Sequence, residues 1–366
     1  MKLKLSLFAL ALALIVGVAL FGPCPAPAGE IVPGYKVLEP IRHGNLTVFP
    51  VITAAKSHDT AEFITLDEGL RSGEVVVTES GNISPLIRPR PRHGQITPLQ
   101  YGSSAQVNQL VLVNNSKRPL ILLAGEIVTG GKQDRVIGKD RLVPAESDPV
   151  DLGVFCVEPG RWTGASAKFD SYNGAMAQPA VRGKAMAEKD QSQVWAEVGK
   201  SKEVFAHNAA PAAAGAIGGL SSYARVMDNK EVKEQVDSVA EPIQHNYQSL
   251  IRQLRDQNAV GVVVAVSGQI VWADIFASTN LLEKYWPKLV RSYAAEAVVT
   301  KAKGYEADRT KAQEFLNQLQ GRHETVDSEP GLYRHTEISG DGFRAFELTS
   351  LLPKTGFDLH IAKMAE

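Results

Sequence analysis

The chain has 366 residues, a formal net charge of −1 at pH 7 and two cysteines. Its Lys and Arg residues are spread along the chain, so it lacks the clustered basic face that nucleic-acid binding requires, and no nucleic-acid partner is expected. A chain of this length can bury one large hydrophobic core or two ordinary ones without help from disulfides.

The first 28 residues are typical of a secretory signal peptide. Lys2 and Lys4 give a basic start, an apolar core follows over residues 5–21, and small residues end the segment at Ala28. We therefore expect cleavage after Ala28 and export to the periplasm or the extracellular space, with no stable membrane span in the mature chain.

Two alternatives to a cleaved signal remain at this stage. An uncleaved anchor is possible in principle, but the apolar run is at the lower limit for crossing a bilayer. A lipoprotein would be attached at Cys24, where the preceding Pro23 fits the required motif poorly. After cleavage Cys156 is the single cysteine, so no internal disulfide is expected.

Residues 29–165 form a predicted β-rich region. Runs of β-branched and apolar residues between turns predict strands in LTVFPVI, EVVVTES, both halves of NQLVLVNNSKRPLILLAGEIV, RLVPA and DLGVFCVE. One short helix is predicted in TLDEGLRSG, with Thr65 as its N-cap and Gly73 as its stop. Closely spaced strands joined by turns favour an antiparallel sheet or sandwich.

Residues 166–225 are predicted to be a loop or linker region with one short helix. The helix is expected from Gln191 to Lys202, around Trp195. The Ala/Gly-rich stretch AHNAAPAAAGAIGGLSS that follows has the composition of a flexible linker.

Residues 226–366 are predicted to mix helices and strands. A helix is expected from Asn229 to about Gln257, kinked at Pro242, and two strands are expected around the turn Ser267-Gly268. A capping-box variant starting at Asn280 opens a long amphipathic helix, and a helix near 307–319 and the strands YRHTEIS, FRAFELTSL and FDLHIAK follow. The expected fold class is α+β, with a sandwich-like antiparallel first half packed with the second half as one domain.

Two polar segments at strand ends are the candidate binding residues. In GEIVTGGKQDR, Gly130 and Gly131 can adopt the positive φ of a tight hairpin, and four polar residues follow, while Glu126 and Arg135 could pair across the hairpin. This segment is either a ligand-binding loop or a structural ion pair.

The second segment is VEPGRW, where a strand ends in Glu158, Arg161 and Trp162. A carboxylate, a guanidinium and an indole in this order can hold a planar polar ligand, but Arg161 stacked on Trp162 is an equally simple alternative. In the strand just before, Cys156 is expected to be buried as a small hydrophobic residue rather than to act as a nucleophile.

The shared-site hypothesis places both segments at one end of a sheet, because strands near in sequence usually neighbour each other. Arginine forks could then grip a phosphate or carboxylate, Lys132 would add charge, and Trp162 could stack on a ring. The candidate ligand-binding residues are Glu126, Lys132, Gln133, Asp134, Arg135, Glu158, Arg161 and Trp162.

No catalytic residue, cofactor, metal site or protein partner is identified from the sequence. Familiar zinc, nucleophile-elbow and phosphate-loop motifs are absent, and the histidines lack ligand spacing. Asp274, between a strand and a helix start, could serve a site or cap a turn. The proline-spaced arginines of residues 86–94 are expected to form a stiff surface loop.

The two polar segments, together with QSQVWAEV and GVVVAVSGQIVWADIFAS…WPKLVRSYAAEA, resemble the ARG and rhodanese-phosphatase-superfamily-associated protein domain family. That family shows a Gly-Glu strand leading to Gly-x-Lys-Gln-Asn-Arg, then Cys-Val-Glu-x-Gly-Arg-Trp. The matching residues are Glu126, Gly130, Lys132, Gln133, Arg135, Cys156, Glu158, Arg161, Trp162, Ser292, Tyr293 and Glu296.

The chain departs from this pattern at Asp134, which replaces Asn, and in the Ala/Gly-rich stretch around 206–220. The family's name records an association with ADP-ribosylglycohydrolases, so the resemblance implies a link to ADP-ribose or NAD metabolism and supplies no catalytic residue. We therefore expect an exported protein that binds a small anionic or nucleotide-like ligand. A carboxylate-dependent hydrolase using Glu126, Asp134 or Glu158 and a non-catalytic structural or interaction module are the alternatives.

Overall fold

The structure is a computed structural model that describes residues 34–80, 108–253, 258–303, 306–318, 321–353 and 355–366. The predicted signal peptide over 1–28 and the arginine-proline loop over 86–94 lie outside these ranges. The described residues between Gly34 and Glu366 belong to one compact unit.

The described strands, in chain order, are β1 (Tyr35–Val37), β2 (Ile41–His43), β3 (Leu46–Thr53), β4 (Ile64–Thr65), β5 (Val75–Thr78), β6 (Gln109–Asn114), β7 (Leu120–Leu122), β8 (Ile127–Gly130), β9 (Arg135–Ile137), β10 (Arg141–Val143), β11 (Val150–Cys156), β12 (Phe169–Ser171), β13 (Asn258–Val266), β14 (Gln269–Phe276), β15 (His323–Glu329), β16 (Tyr333–Gly340), β17 (Phe343–Ser350) and β18 (Asp358–Ala365).

The described helices are α1 (Leu66–Ser72), α2 (Pro179–Gly183), which continues into a π-helical turn (Lys184–Glu188), α3 (Gln191–Asn208), α4 (Pro211–Gly218), α5 (Tyr223–Asp228), α6 (Lys230–Gln253), α7 (Thr279–Val299) and α8 (Arg309–Asn317). No helix in the described ranges is long and apolar enough to span a bilayer.

The strands of the described residues form three sheets. A nine-stranded antiparallel sheet has the order β1-β3-β13-β14-β18-β17-β16-β15, with β2 paired to β3. A six-stranded antiparallel sheet has the order β12-β8-β9-β11-β6-β5, and β10, β7 and β4 form a third sheet in which only β4 and β7 are parallel. The antiparallel sheets and interspersed helices confirm the α+β fold class.

The six- and three-stranded sheets share a hydrophobic core, as expected for a sandwich-like first half. Side chains of β4, β7 and β10 pack against those of β5, β6, β8, β9, β11 and β12 in one buried cluster. A larger cluster joins β3, β13 and β14 to helices α3, α5, α6 and α7. The helices α6 and α7 therefore cover the large sheet.

The first three strands do not join the first-half sandwich. β3 pairs instead with β13, with Val48 opposite Val264. β13 is buried along almost its whole length, so it needs a partner on each side, and β14 supplies only one. No local pattern in the sequence reveals a pairing between strands this distant.

The prediction of a linker over 166–225 with one short helix is wrong for the described structure. This region contains α2, the π-helical turn, α3, α4 and the first half of α5, and α3 runs to Asn208 rather than Lys202. α4 forms within the Ala/Gly-rich stretch because Pro211 suits the first helical position and alanine has the highest helix propensity. Its buried Ile217 anchors it to the core.

One predicted helix boundary also changes. α7 begins at Thr279 with Ser278 as its N-cap, whose hydroxyl accepts from the Leu281 amide, so Asn280 is not the cap. By contrast, Thr65 and Glu68 form the full capping box expected of α1, and Gly73 ends that helix in the left-handed region.

Candidate functional site

The loop between β8 and β9 spans residues 131–134, so it is longer than the tight turn expected. Gly130 and Gly131 both have positive φ, of 128° and 48°, and a Cβ on Gly131 would lie 2.2 Å from the Phe169 ring. Three successive main-chain N–H groups, from the end of β8 into this loop, donate to oxygens of the protein's own side chains. The pairs are Gly130 with Asp134 Oδ1 (3.0 Å), Gly131 with Ser166 Oγ (3.2 Å) and Lys132 with Glu79 Oε1 (3.0 Å).

The loop and the VEPGRW segment meet in space, which confirms the expected convergence. β9 pairs with β11, which sets Arg135 opposite Cys156. The Asp134 amide donates to Glu158 Oε2 at 3.0 Å, and Gln133 Nε2 donates to the Glu158 carbonyl at 3.0 Å. The start of β9 and the end of β11 therefore lie side by side at the same end of the six-stranded sheet.

Arg161 ties the two segments together. Its Nη2 lies 2.5 Å from Glu158 Oε2 and 3.5 Å from Asp134 Oδ1, and its Nη1 donates to the Gly131 carbonyl at 3.0 Å. The bond to Glu158 raises the pKa of Arg161. Burial acts to raise the pKa of Glu158, but Arg161 outweighs it and holds that pKa below its usual value.

Asp134 is buried beneath the contacts that Arg161 makes. The hydroxyl of Ser222, the N-cap of α5, donates to Asp134 Oδ2 at 2.5 Å. Burial raises the pKa of Asp134, and the bond from Ser222 only partly offsets it. The N-cap residue of helix α5 thus bonds the buried side of the loop. No local sequence pattern predicted this contact.

Glu126 does not pair with Arg135, contrary to the expectation from the hairpin. The β8–β9 register places Arg135 opposite Val128. Glu126 Oε1 instead lies 2.9 Å from Lys288 Nζ on α7, and Lys288 also binds Asp67. Burial raises the pKa of Glu126, with Lys288 acting in the opposite direction.

Arg135 and Gln133 are also part of the buried frame. Arg135 is fully buried, and its Nη1 donates to the Gln133 carbonyl at 2.7 Å. Burial lowers the pKa of Arg135. Among the eight candidate residues, Glu126, Gln133, Asp134, Arg135 and Glu158 are therefore enclosed by the protein.

The remaining candidates, Lys132, Arg161 and Trp162, form the outer surface of the site. Trp162 is 44% exposed, and Lys132 Nζ lies 4.8 Å from the centre of its ring. The cation over the indole is therefore Lys132, whereas Arg161 is engaged with Glu158. We call Lys132, Arg161 and Trp162 the outer surface of the loop site.

With this geometry established, comparison with known proteins identifies the family. Residues 34–361 match the ARG and Rhodanese-Phosphatase-superfamily-associated Protein domain. The chain belongs to this family. No curated protein and no solved structure matches the chain.

In this family member, the buried Cys156 is held in place by hydrogen bonds to its main-chain groups. Gln191, the first residue of α3, accepts from the Cys156 amide and donates to its carbonyl, both at 2.8 Å. Burial raises the pKa of the thiol, which disfavours the thiolate. The prediction that Cys156 is buried is confirmed.

The three α7 residues of the family resemblance make internal contacts. Ser292 donates to the Ala177 carbonyl at 2.7 Å, Tyr293 donates to Asp274, and Glu296 accepts from the Ala180 amide at 2.9 Å. The segment around α2 is thereby fastened to α7.

Asp274 belongs to a fully buried polar network that the sequence did not reveal. Arg182 binds it through both terminal nitrogens, at 2.9 and 3.0 Å, and His360 Nε2 lies 3.1 Å from its Oδ1. His360 Nδ1 in turn lies 2.5 Å from Asp140 Oδ2. Asp274 therefore neither caps a turn nor faces a solvent-accessible site, and we call Asp140, Arg182, Asp274, Tyr293 and His360 the buried network.

Gly125 permits the buried network to form. Its φ is 94°, and an added Cβ would lie 2.6 Å from the Arg182 side chain. A larger residue at position 125 would collide with Arg182, which explains the glycine in the Gly-Glu pair of the family resemblance. Within the described residues, no group of three or more His, Cys, Asp or Glu side chains is arranged to hold a metal ion.

Proposed function

We propose that the outer surface of the loop site binds a small nucleotide-like anion. In this proposal the Trp162 indole stacks on a planar ring, and Lys132 and Arg161 bind the phosphate or carboxylate groups. The observation that carries it is a half-exposed tryptophan with a lysine ammonium 4.8 Å from its ring, mounted on a buried charged frame.

The state of the two cations supports this proposal. Within the described residues, no carboxylate lies within ion-pair distance of the Lys132 ammonium. Arg161 is fixed by Glu158, and its side chain is 18% exposed. A guanidinium held in one geometry at a partly exposed position adds positive charge beside Lys132 without a further ordering cost.

The main-chain N–H groups of the loop limit how a phosphate would be held. Successive amides in such a loop often form an anion-binding concavity, but here Asp134, Ser166 and Glu79 already occupy them. Contacts to the ligand would therefore come from side chains. This favours a ligand in which ring stacking supplies much of the binding energy.

The family name directs the choice of ligand. It associates the domain with proteins abbreviated ARG, and an ADP-ribosylglycohydrolase link makes ADP-ribose the first compound to test. ADP-ribose combines a planar base with two phosphates, which matches the indole and the two cations. The proposal includes export of the mature chain, supported by the signal-like first 28 residues.

Hydrolysis by a carboxylate has less support than binding. Glu126, Asp134 and Glu158 are at most 5% exposed, and each is hydrogen-bonded to residues of the protein itself. The raised pKa of Asp134 would suit a general acid. A substrate would nevertheless have to displace Arg161 or Ser222 to reach that carboxyl group.

The test is a thermal-shift and calorimetric titration with ADP-ribose, ADP and ribose 5-phosphate. Because base–aromatic stacking is worth about 1–3 kcal/mol, Trp162→Ala should weaken binding of the two adenine compounds by roughly tenfold or more. Lys132→Met should weaken all three, since it removes the charge. Trp195→Ala, at a similarly exposed tryptophan on α3, is the matched control and should bind normally.

The proposal is contradicted if none of the three compounds raises the unfolding temperature with concentration. It is also contradicted if Trp162→Ala and Lys132→Met bind as tightly as the unmodified protein.

A further inference from the structure

A second concave site, with a volume of about 260 Å³, shares no residue with the loop site. It is lined by the segment after β12, the end of α5 and the helices α6 and α7. Two apolar side chains in the lining, Met227 and Val236, are 5% and 2% exposed. The volume is below the usual range of about 300–1,000 Å³ for ligand pockets, which favours a compound smaller than a nucleotide. We call this site the Tyr172 cavity, after the tyrosine in its lining.

Arg291 of α7 supplies a positive group that is fixed at one side and free at its end. Its Nε donates to Asp237 Oδ1 at 2.9 Å. Its terminal nitrogens, Nη1 and Nη2, are accessible to solvent and bond to none of the described residues. The end of a guanidinium presents two parallel N–H groups, which match the two oxygens of a carboxylate. Arg291 is therefore held in position without using the groups that recognise an anion.

Asp228, the last residue of α5, supplies a carboxylate with one free oxygen. Its Oδ1 accepts from the Tyr172 hydroxyl at 3.0 Å. Its Oδ2 makes no hydrogen bond or ion pair with the part of the chain that the structure describes. Asp228 is exposed, whereas Tyr172 is 8% exposed. The tyrosine thus orients the carboxylate, and the free oxygen can accept from an ammonium group.

Tyr172 brings the cation and the carboxylate to the same place. Burial and the Asp228 carboxylate raise the pKa of Tyr172, whereas the positive charge of Arg291 acts to lower it. The guanidinium therefore lies close to the hydroxyl that binds Asp228. Arg291 and Asp228 form no ion pair with each other, so each can bind a group of opposite charge on a ligand.

The formal charges of the lining cancel. Arg291 and Lys233 are positive, and Asp228 and Asp237 are negative. A ligand with only negative groups would be repelled by the free oxygen of Asp228, and a ligand with only positive groups would be repelled by the two cations. A ligand that carries one group of each sign is complementary to this lining.

We propose that the Tyr172 cavity binds a small α-amino acid with an apolar side chain. The carboxylate of the ligand accepts from the terminal nitrogens of Arg291, and its ammonium group donates to Asp228. Its side chain packs against Met227 and Val236. An α-amino acid places both charges beside an apolar chain within a compound small enough for this volume.

The probe is L-norvaline. It is compared with pentanoate, which has the same carbon chain but no ammonium group, and with L-norvalinamide, which has no carboxylate. Isothermal titration calorimetry measures the affinity of the purified protein for each compound. L-Norvaline should bind in a saturable way. Each comparison compound should bind at least roughly tenfold more weakly, because it leaves one charged group of the cavity without a partner.

Asp228→Asn is the decisive variant, because the amide oxygen can still accept from Tyr172 while the negative charge is lost. It should weaken L-norvaline binding by about tenfold or more and leave pentanoate binding unchanged or stronger. Glu241→Gln makes the same change at an exposed position of α6 outside the lining and should bind L-norvaline normally. Trp162→Ala should also bind it normally, because Trp162 belongs to the loop site.

The proposal is overturned if millimolar L-norvaline shows no saturable binding, or if pentanoate or L-norvalinamide binds as tightly. It is also overturned if Asp228→Asn binds L-norvaline as tightly as the unmodified protein, or if Trp162→Ala loses this binding, since the amino acid would then bind at the loop site. Arg291→Gln should abolish binding. If that variant fails to fold, the comparison of Asp228→Asn with Glu241→Gln decides, and equal binding by these two overturns the proposal.

Discussion

At the scale of single residues, the loop site divides into a buried frame and an outer surface. The charged groups of the frame are hydrogen-bonded by the protein itself: Glu158 accepts from Arg161, Asp134 accepts from Ser222, and Arg135 donates to the main chain. A frame bonded in this way holds the outer side chains in one geometry before any ligand arrives. Substitutions in the frame and on the surface should therefore have different consequences.

The first prediction concerns the frame. Arg135→Ala should lower the free energy of unfolding by about 2–4 kcal/mol, because it removes a fully buried side chain and leaves main-chain oxygens without their donor. Urea unfolding at an unchanged m-value measures this effect. Arg225→Ala, at an exposed arginine on α5, is the control and should change stability by no more than about 0.5 kcal/mol.

A different outcome would restore a ligand-binding role for this arginine. If Arg135→Ala is as stable as the unmodified protein but no longer responds to ADP-ribose, the guanidinium contacts the ligand, as the shared-site hypothesis first supposed.

At the scale of elements, helix α4 is the clearest departure from the sequence expectation. Its glycines and alanines have the composition of a linker, but the segment is helical from Pro211 to Gly218 and packs beside α3. Lys202 on α3 reaches the end of α4 and donates to the Gly218 and Leu220 carbonyls at 3.3 and 3.2 Å. The helix thus depends on tertiary contacts as well as on alanine propensity.

A glycine substitution tests whether this segment is helical in solution. Gly215 lies within α4, and an added Cβ would meet nothing within 4 Å. Gly215→Ala should therefore raise the free energy of unfolding by about 0.5–1 kcal/mol. Gly44→Ala, at φ 57° between β2 and β3, should instead lower it by about 1–2 kcal/mol. Equal destabilisation by both substitutions would show that α4 is not a helix.

The elements that the sequence predicted correctly carry strong local signals. The Thr65–Glu68 capping box marks α1, and Ser267 and Gly268, both at positive φ, close the β13–β14 hairpin. β15 has almost entirely exposed residues and no apolar alternation, so nothing in its sequence indicated a strand. It is defined by its pairing with β16.

The candidate site was likewise predictable only where local sequence patterns determine it. The convergence of its two segments follows from the neighbouring strands β9 and β11, but the partners of its buried residues come from far along the chain. Lys288 for Glu126 and Ser222 for Asp134 lie in helices whose packing no local pattern specifies. Long-range partners of this kind cannot be derived from residue spacing alone.

At the scale of the whole molecule, the buried network joins elements from both halves. Asp140 follows β9 of the first half, Arg182 lies on α2, and Asp274 and His360 lie on neighbouring strands of the nine-stranded sheet. Two carboxylates face a guanidinium and an imidazole, so the charges balance when His360 is protonated. Burial acts to lower the pKa of His360, but Asp140 and Asp274 raise it to about 9.

This elevated pKa predicts a pH dependence of stability. The pKa of His360 in the folded protein, about 9, lies above the unfolded value of about 6.5. The stabilisation is therefore fully present below about pH 6.5 and is lost as the pH rises through about 9, by about 3 kcal/mol in all. Deprotonation would leave two buried carboxylates against one guanidinium.

The measurement is the difference in unfolding free energy between the unmodified protein and His360→Gln, from pH 6 to pH 10. Glu347 and Lys363, whose pKa values burial brings to about 7, titrate in both proteins and cancel in the difference. The difference should shrink as the pH rises. A difference that stays constant across this range would mean that His360 is neutral in the folded protein.

The pairing of β3 with β13 also has a consequence for the order of events during protein synthesis. Val48 can pair with Val264 only after roughly 200 further residues have been synthesised. At about 5–20 residues per second, a ribosome takes about 10–40 s to make that interval. Throughout this time the apolar strand LTVFPVI has no native neighbour on its β13 side and presents an edge that other chains can join. Chains cut short before β13 should therefore depend on chaperones, and the largest sheet is complete only after β18 has been synthesised.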